Sequence, residues 1–312
     1  MVVNPIIYDR YWYWAAERQA MFFRKRAGDE PPYTNDPILA EYKFCNAYRD
    51  SDRVSQFLIK EVQYSRQFSP RDLLYRTLFF RLLNKAETWT YLEEALSTLT
   101  IDAFDVERIA SALERKKAAG EAIYGNAFIL CATPAFSFQQ KHRNHLGLLE
   151  YVFFGSDMAD RLLAAASLAE LFTTLKTLPL IGDFMAYQLA IDLNYSTLYS
   201  FDEDDFTVAG PGAKRGIAKC FNDLESRPAS EIIQHMVDIQ EAEFARLGLA
   251  FQSLGTRRLH SIDCQGMFCE IDKYSRVYLP ELKSNRVRIK SRYLPSAQPL
   301  AYFYPPKWRI AF

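Results

Sequence analysis

Glycine is scarce in this chain, with twelve residues among 312, or about 4% against the roughly 7% of average proteins. So few glycines cannot supply the tight turns of a β-sandwich, and the expected fold is mainly α. No GxxxxGK segment followed by Ser or Thr is present, which excludes a P-loop within this sequence. HExxH is absent as well. Of the four histidines (His142, His145, His235, His260), only His142 and His145 share a short helical spacing, with no further ligands to name for a zinc site. The five cysteines form no CxxC pair, and their odd number leaves one outside any full disulfide set, as expected in a reducing compartment. The longest apolar run falls short of the about 18 residues that would cross a bilayer, and the aromatic N-terminus MVVNPIIYDRYWYW lacks the pattern of a signal peptide. The expectation is a soluble, cytoplasmic protein with no membrane partner and no implied cofactor.

What is present is a 49% hydrophobic, 15% aromatic composition sufficient for a large core. The 38 basic and 38 acidic residues cancel, which argues against bulk attraction to nucleic acid. The distribution is polarised, however. Residues 273–309 carry a net charge of +8, residues 201–272 of −6, and residues 1–200 of −2. A single helical domain over 1–312 is expected, with sub-lobes 1–165 and 166–280 and a basic extended or β tail over 281–312.

Apolar periodicity and capping signals predict helices over 8–27, 40–64 (where Asp50-Ser51-Asp52 could restart the helix by capping), 70–84, 88–98, 103–119, 142–154, 157–165 and 167–176, then from Asp183, from about Lys214, over 229–247 and over 260–275. The segment 127–136 reads as a strand or a buried helical turn. In the tail, 286–293 alternates as an extended stretch or small hairpin.

Four segments could carry chemistry. LPLIGDFMAYQLAID (178–192) has the form of a helix-hairpin-helix unit, in which Gly182 lets the backbone approach a DNA phosphate and the exposed N–H groups at a helix start bind that anion. A plain turn and core helix would have the same look. AGPGAKRG (209–216) sets Gly210, Gly212, Lys214 and Arg215 at a helix start, a combination suited to phosphate or pyrophosphate, with a structural turn as the alternative. In 33–58, Asn46, Arg49 and Arg53 can share one helical face, suited either to DNA contact or to surface ion pairs. In DCQGMFCEIDKYSRV (263–277), Glu270 and Lys273 either pair with each other or serve as general base and anion clamp.

Taken in order, NDPIL…KFCNAYRDSDRVSQFL, LPLIGDFMAYQLAIDL, FTVAGPGAKRG and CEIDKYSR resemble the α-glutamyl/putrescinyl-thymine pyrophosphorylase superfamily, the amino acid:DNA transferases. Its motifs are shared with the helical domain of 5-hydroxymethyluracil DNA kinases. The matching residues are Asn46, Arg49, Asp52 and Arg53; Gly182, Asp183 and Asp192; Gly210, Gly212, Lys214 and Arg215; and Glu270, Lys273, Tyr274 and Arg276. The resemblance implies a mostly helical fold related to helix-hairpin-helix DNA glycosylases. In those enzymes an essential aspartate lies about two dozen residues past the hairpin glycine, which lands on Asp202 to Asp205. This chain departs from them in lacking the hairpin lysine and in inserting AGPGAKRG directly after the aspartates.

The resemblance further implies a phage or phage-derived pathway. There the (pyro)phosphate on phosphorylated 5-hydroxymethyluracil in DNA is displaced by an amino acid or polyamine. Glu270, Asp205 and Lys273 are then the catalytic candidates, and Gly210, Gly212, Lys214 and Arg215 the phosphate site. DNA contacts fall to Gly182, Asn46, Arg49, Arg53, Tyr274, Arg276, Arg286 and Arg288, with Tyr187 or Tyr274 stacking on a flipped base. Two other functions stay open: a non-catalytic DNA-binding helical module that partners a 5-hydroxymethyluracil DNA kinase, and a helix-hairpin-helix base glycosylase.

Overall fold

A computed structural model describes residues 1–127, 134–282, 286–289, 291–294 and 301–310. In chain order the elements are β1 (Val2–Val3), α1 (Pro5–Ala27), α2 (Pro37–Glu41), α3 (Arg53–Phe57), α4 (Pro70–Leu83), α5 (Ala86–Leu96), α6 (Val106–Ala118), α7 (Lys141–Phe153), α8 (Met158–Leu163), α9 (Leu168–Lys176), α10 (Asp183–Tyr195), α11 (Pro211–Cys220), β2 (Phe221–Asp223), α12 (Ala229–Arg246) and α13 (Ser261–Tyr278). The protein is mainly α. Its small sheet joins β1 and β2 antiparallel, pairing Val3 with Phe221. None of the helices among the described residues is long and apolar enough to cross a membrane.

Local chemistry sets most boundaries. Proline occupies the first turn of α1, α2, α4 and α11, where a missing N–H costs nothing. Ser69, Asp105 and Ser167 accept backbone N–H bonds at the starts of α4, α6 and α9. Gly28 ends α1 at φ 88°, a left-handed cap that a Cβ would strain. Two expected starts shift: α5 begins at Ala86 rather than at Thr88, which is buried within the helix, and α6 is capped by Asp105 rather than led by Asp102.

The expected helix over 40–64 is not continuous. The chain runs from α2 through an irregular stretch to a 3-10 turn at Arg49–Ser51, is extended at Asp52 (ψ 143°), and resumes as α3 followed by a π-helical turn at Leu58–Gln63. Asn46, Arg49 and Arg53 therefore do not share a helical face. The tail differs too: no regular structure is assigned to 286–289, while Arg292 bridges to Tyr42 and Lys43 donates to the Ser291 carbonyl at 3.0 Å. Most of 127–136, and with it Cys131, lies outside the described residues, as do Lys283 and Lys290.

The chain forms two compact units interleaved in sequence. One comprises Met1–Asp52, Phe206–Tyr302 and Pro306–Phe312, the other Arg53–Asp205 and Phe303–Pro305. This partition differs from contiguous sub-lobes at 1–165 and 166–280. In the first unit, α13 packs against α1, α11 and α12, burying Tyr11, Trp12, Trp14, Phe268 and Ile271. In the second unit, α4 and α10 supply buried Leu74, Phe79, Phe80, Ala190 and Leu193. Between these two helices Arg81 grips Asp192 through two bonds of 2.6 and 2.8 Å, both side chains fully buried. A planar fork on a carboxylate in a dry core fixes the register of the two helices through geometry that a lone hydrophobic contact lacks.

Helices α11 and α13 approach so closely that a Cβ on Gly216 would collide with the Phe268 carbonyl oxygen, and one on Gly212 would stand 2.9 Å from the Cys269 sulfur. Gly216 has no room to yield, because its neighbour is backbone. Gly216→Ala is expected to lower unfolding free energy by about 1–3 kcal/mol or more through overpacking, measured by urea denaturation.

Candidate functional site

Helix α13 organises the chemistry of the first unit because its two long faces do different work. A capping box starts it: Asp263 accepts the His260 N–H at 3.0 Å, and the His260 side chain accepts from the N3 backbone. Asp263, Glu270 and Tyr274, at i, i+7 and i+11, share the face that holds the 36–52 segment. Asp263 accepts the Arg49 N–H at 2.8 Å, Glu270 the Cys45 N–H at 3.0 Å, and Asp36 the Tyr274 hydroxyl at 2.6 Å. Lys273 pairs with Glu270 at 2.6 Å and lies 4.5 Å from the Phe44 ring centroid.

The loop above this face closes on itself. Asn46 donates its N–H to Asp52 at 2.8 Å and its amide to the Ser51 carbonyl at 2.7 Å. Asn46 thus braces a turn instead of presenting its amide outward. Cys45 is exposed and Asp52 half-exposed, yet both groups lose much of their hydration. Burial and the neighbouring Asp52 and Glu270 push the Cys45 thiol well above its ordinary value. Burial likewise raises the Asp52 carboxyl to about 6, against the Asn46 N–H and Arg18, with Glu270 adding to the rise. Arg18 donates to the Cys45 carbonyl at 2.9 Å, and Tyr302 interacts electrostatically with both Arg18 and Asp52. Arg18 of α1, Cys45 and Asp52 of the loop, Glu270 of α13 and Tyr302 thus act electrostatically on one another.

The opposite face of α13 meets α11 around a fully buried carboxylate. Asp272 binds Arg215 at 3.0 Å, Lys219 at 3.0 Å and Arg276 at 2.6 Å. Burial would raise its pKa, but hydrogen bonds from Lys219, Arg276 and Arg215 outweigh that and hold it below the usual carboxylate range. Three cations on one carboxylate leave positive charge in excess. Arg215, expected at a phosphate, spends its Nε on Asp272, whereas Lys214 is exposed one turn into α11 and no partner engages its amine among the described residues. Gly210 is the N-cap of α11 and no side chain caps that end. Gly212 serves helix packing.

Other expected site residues fall as follows. Tyr274 is buried with its hydroxyl committed to Asp36, and Tyr187 is fully buried in α10, so neither ring is offered to a base. Arg276 is turned inward to Asp272 and donates to the Arg288 carbonyl at 3.2 Å, while the Arg286 and Arg288 side chains are exposed. In the second unit, α9 and α10 are joined by a short turn whose left-handed residue is Leu180 (φ 69°). Gly182 is the extended N-cap of α10, where an added Cβ would meet nothing within 4 Å, and Asp183 pairs with Lys176 at 2.7 Å. Arg53 is exposed. Asp205 is exposed in the 202–205 turn, where Glu203 is the buried acid. Sequence reading missed the Asp272 cluster, Arg18, Tyr302 and the setting of Asp52. Only the i, i+4 spacing of Arg215 and Lys219 hinted at a shared anionic partner.

Residues 5–284, which span every helix from α1 to α13, match the family model described as "5-hmdU DNA kinase, helical domain". The chain belongs to that family. The chain is also similar to the 5-hmdU DNA kinase of Bacillus phage SP10, with 27% identity over 298 residues, covering 88% of this chain and 46% of the relative. The chain thus spans about half the length of the curated relative it matches. No solved structure matches it. The family's matched region contains the Asp272 cluster and the α9–α10 turn alike.

Two outcomes test these electrostatics. Asp272→Asn strands Lys219 and Arg276 in the core, and should cost about 3–5 kcal/mol in chemical denaturation. Asp263 is raised to about 7, chiefly by burial, with Arg257 opposing and Asp50 adding to the rise. A carboxyl whose folded pKa is raised binds more protons folded than unfolded, so its contribution is fully present below about pH 4 and is lost as pH rises through about 7. Melting temperatures followed from pH 4 to 8 should show this decline, and Asp263→Asn should flatten it.

Proposed function

We propose that the protein is a DNA base hypermodification enzyme acting on phosphorylated 5-hydroxymethyluracil, displacing the (pyro)phosphate with the nitrogen of an amino acid or polyamine. Membership of the 5-hmdU DNA kinase helical-domain family is the observation that carries the substrate class. In this reading the uncapped start of α11, with Gly210, Gly212, Lys214 and the excess positive charge beside Arg215, takes the phosphate. The α9–α10 turn acts as a helix-hairpin-helix grip on backbone phosphate at Gly182. Arg53, Arg286 and Arg288 add exposed charge along the DNA. A carboxylate accepts the amine proton, with Glu270 and Asp205 as the candidates that the resemblance suggests.

A second reading, a non-catalytic module that presents modified DNA to a separate kinase, is favoured by one observation. Glu270 and Lys273 neutralise each other while Glu270 also holds the Cys45 N–H, which suits a structural pair. The two readings part on one measurement: purified protein is incubated with kinase-treated hydroxymethyluracil DNA and a panel of amino acids and polyamines, and the nucleosides are digested and weighed. The enzyme reading expects an aminated nucleoside. An unchanged profile with DNA binding intact would leave the module, and alkali-labile nicks would instead indicate glycosylase action.

A further inference from the structure

Arg10 belongs to none of the sequence motifs, yet its setting is unusual for a cation of the first unit. The adjacent acid, Asp9, is taken by Arg246 at 2.5 Å, and no ion pair engages Arg10 among the described residues. Its guanidinium carbon lies 4.6 Å from the Tyr13 ring centroid and 4.4 Å from that of Tyr278, in the last turn of α13. Asp36, which acts on Tyr13, is already committed: it takes the Ile38 and Leu39 N–H groups and the Tyr274 hydroxyl. Ring contacts engage the flat faces of a guanidinium, and a hydrogen bond to Tyr278 uses one donor at its edge. The remaining donors belong to a half-exposed charge held in place by two rings. Arg276, two residues before Tyr278 and so on another side of the same helical turn, donates to the Arg288 carbonyl at 3.2 Å and is anchored on Asp272 at 2.6 Å. This fixes the Arg288 backbone at the same helix end, while the Arg288 side chain is exposed and in no ion pair among the described residues.

We propose that Arg10 and Arg288, flanking the C-terminal end of α13, grip the backbone phosphates of DNA. The proposal rests on the DNA-binding reading that the enzyme and the module above have in common. Two cations on different sides of one helix are separated by roughly a helix diameter, about 10 Å, which is too far for one phosphate to bridge and suits successive phosphates along a strand. The occupant is therefore an extended polyanion rather than a free phosphate. The lack of a carboxylate partner matters, because an arginine already paired with an acid must give up that bond before it takes a phosphate. Holding Arg10 against two rings in advance also lowers the ordering cost of binding. Contacts of this kind position a duplex and carry no base information, so the grip holds modified and unmodified DNA alike. The purely structural alternative is that both cations complement the negative end of α13. That role stabilises the fold and releases no counterions from DNA.

In the test, fluorescein-labelled duplexes with and without 5-hydroxymethyluracil are titrated with the full chain by anisotropy, from about 50 to 200 mM salt. Each backbone phosphate contact contributes about 0.9 to the slope of log affinity on log salt. Arg10→Gln is expected to lower that slope by about 1 and to weaken both duplexes by the same factor, about 8-fold at about 0.1 M salt. Arg288→Gln leaves in place the carbonyl that Arg276 holds and should do likewise, and the double variant should lose about 2 from the slope. Arg10→Lys keeps the charge and should retain most of the slope. Unchanged slope and affinity in an Arg10→Gln variant that urea denaturation shows to be folded overturn the grip. A fall in stability with the slope unchanged does the same and leaves Arg10 as a structural tie. Weakening confined to the modified duplex also overturns it. Wild type that binds neither duplex removes the DNA-binding reading itself, so the two failures are told apart by the wild-type arm.

Discussion

The first unit depends on one buried ion cluster, Asp272 with Arg215, Lys219 and Arg276. A carboxylate at zero exposure is costly to desolvate, and is retained because three cations from two helices converge on it within 3.0 Å. The cluster demands a close crossing of α11 and α13, and the glycines on α11 permit it. Because the fit is polar and directional, it fixes rotation and translation of the two helices more tightly than apolar packing alone would. Everything chemical in the unit hangs from that crossing: the uncapped start of α11 with Lys214 on one side, and on the other the α13 face that carries Asp263, Glu270 and Tyr274.

That second face holds the 36–52 segment by its backbone as well as by its side chains. Asp263 and Glu270 take the N–H groups of Arg49 and Cys45, so an irregular loop gains partners that a helix would have provided internally. The loop is therefore ordered without being helical, and it brings an exposed thiol and a half-exposed carboxylate beside Arg18 and Tyr302. An irregular loop pinned to a rigid helix is a common way to hold reactive groups at a surface.

Helices were legible where their causes are local. Pro70 behind Ser69, Ser167 ahead of Glu170, and Gly28 after a basic last turn each mark an end within a few residues of chain. The 40–64 region misled because its apolar spacing is helical while its hydrogen bonds go to residues more than 200 positions away, as between Arg49 and Asp263. The same reason hid the site. The Glu270 and Lys273 pair follows from i, i+3 spacing, but the burial of Tyr187 and Tyr274, the inward turn of Arg215, and the company Asp52 keeps all arise from long-range packing. The four ordered motifs pointed to the family without placing their residues in space.

The interleaved layout of the units has a consequence for synthesis. The first unit begins with α1, whose Tyr11 packs on Phe268 of α13 and whose Trp12 packs on Phe244 of α12, so these side chains leave the ribosome long before their partners exist to cover them. At translation rates of roughly 5–20 residues per second, the wait lasts on the order of ten seconds or more. The 53–205 stretch, by contrast, contains nearly all of its own unit and can gather its core while α1 is still waiting. The N-terminal aromatic stretch thus waits uncovered during synthesis, and the half of the molecule bearing the Asp272 cluster is the last to be completed.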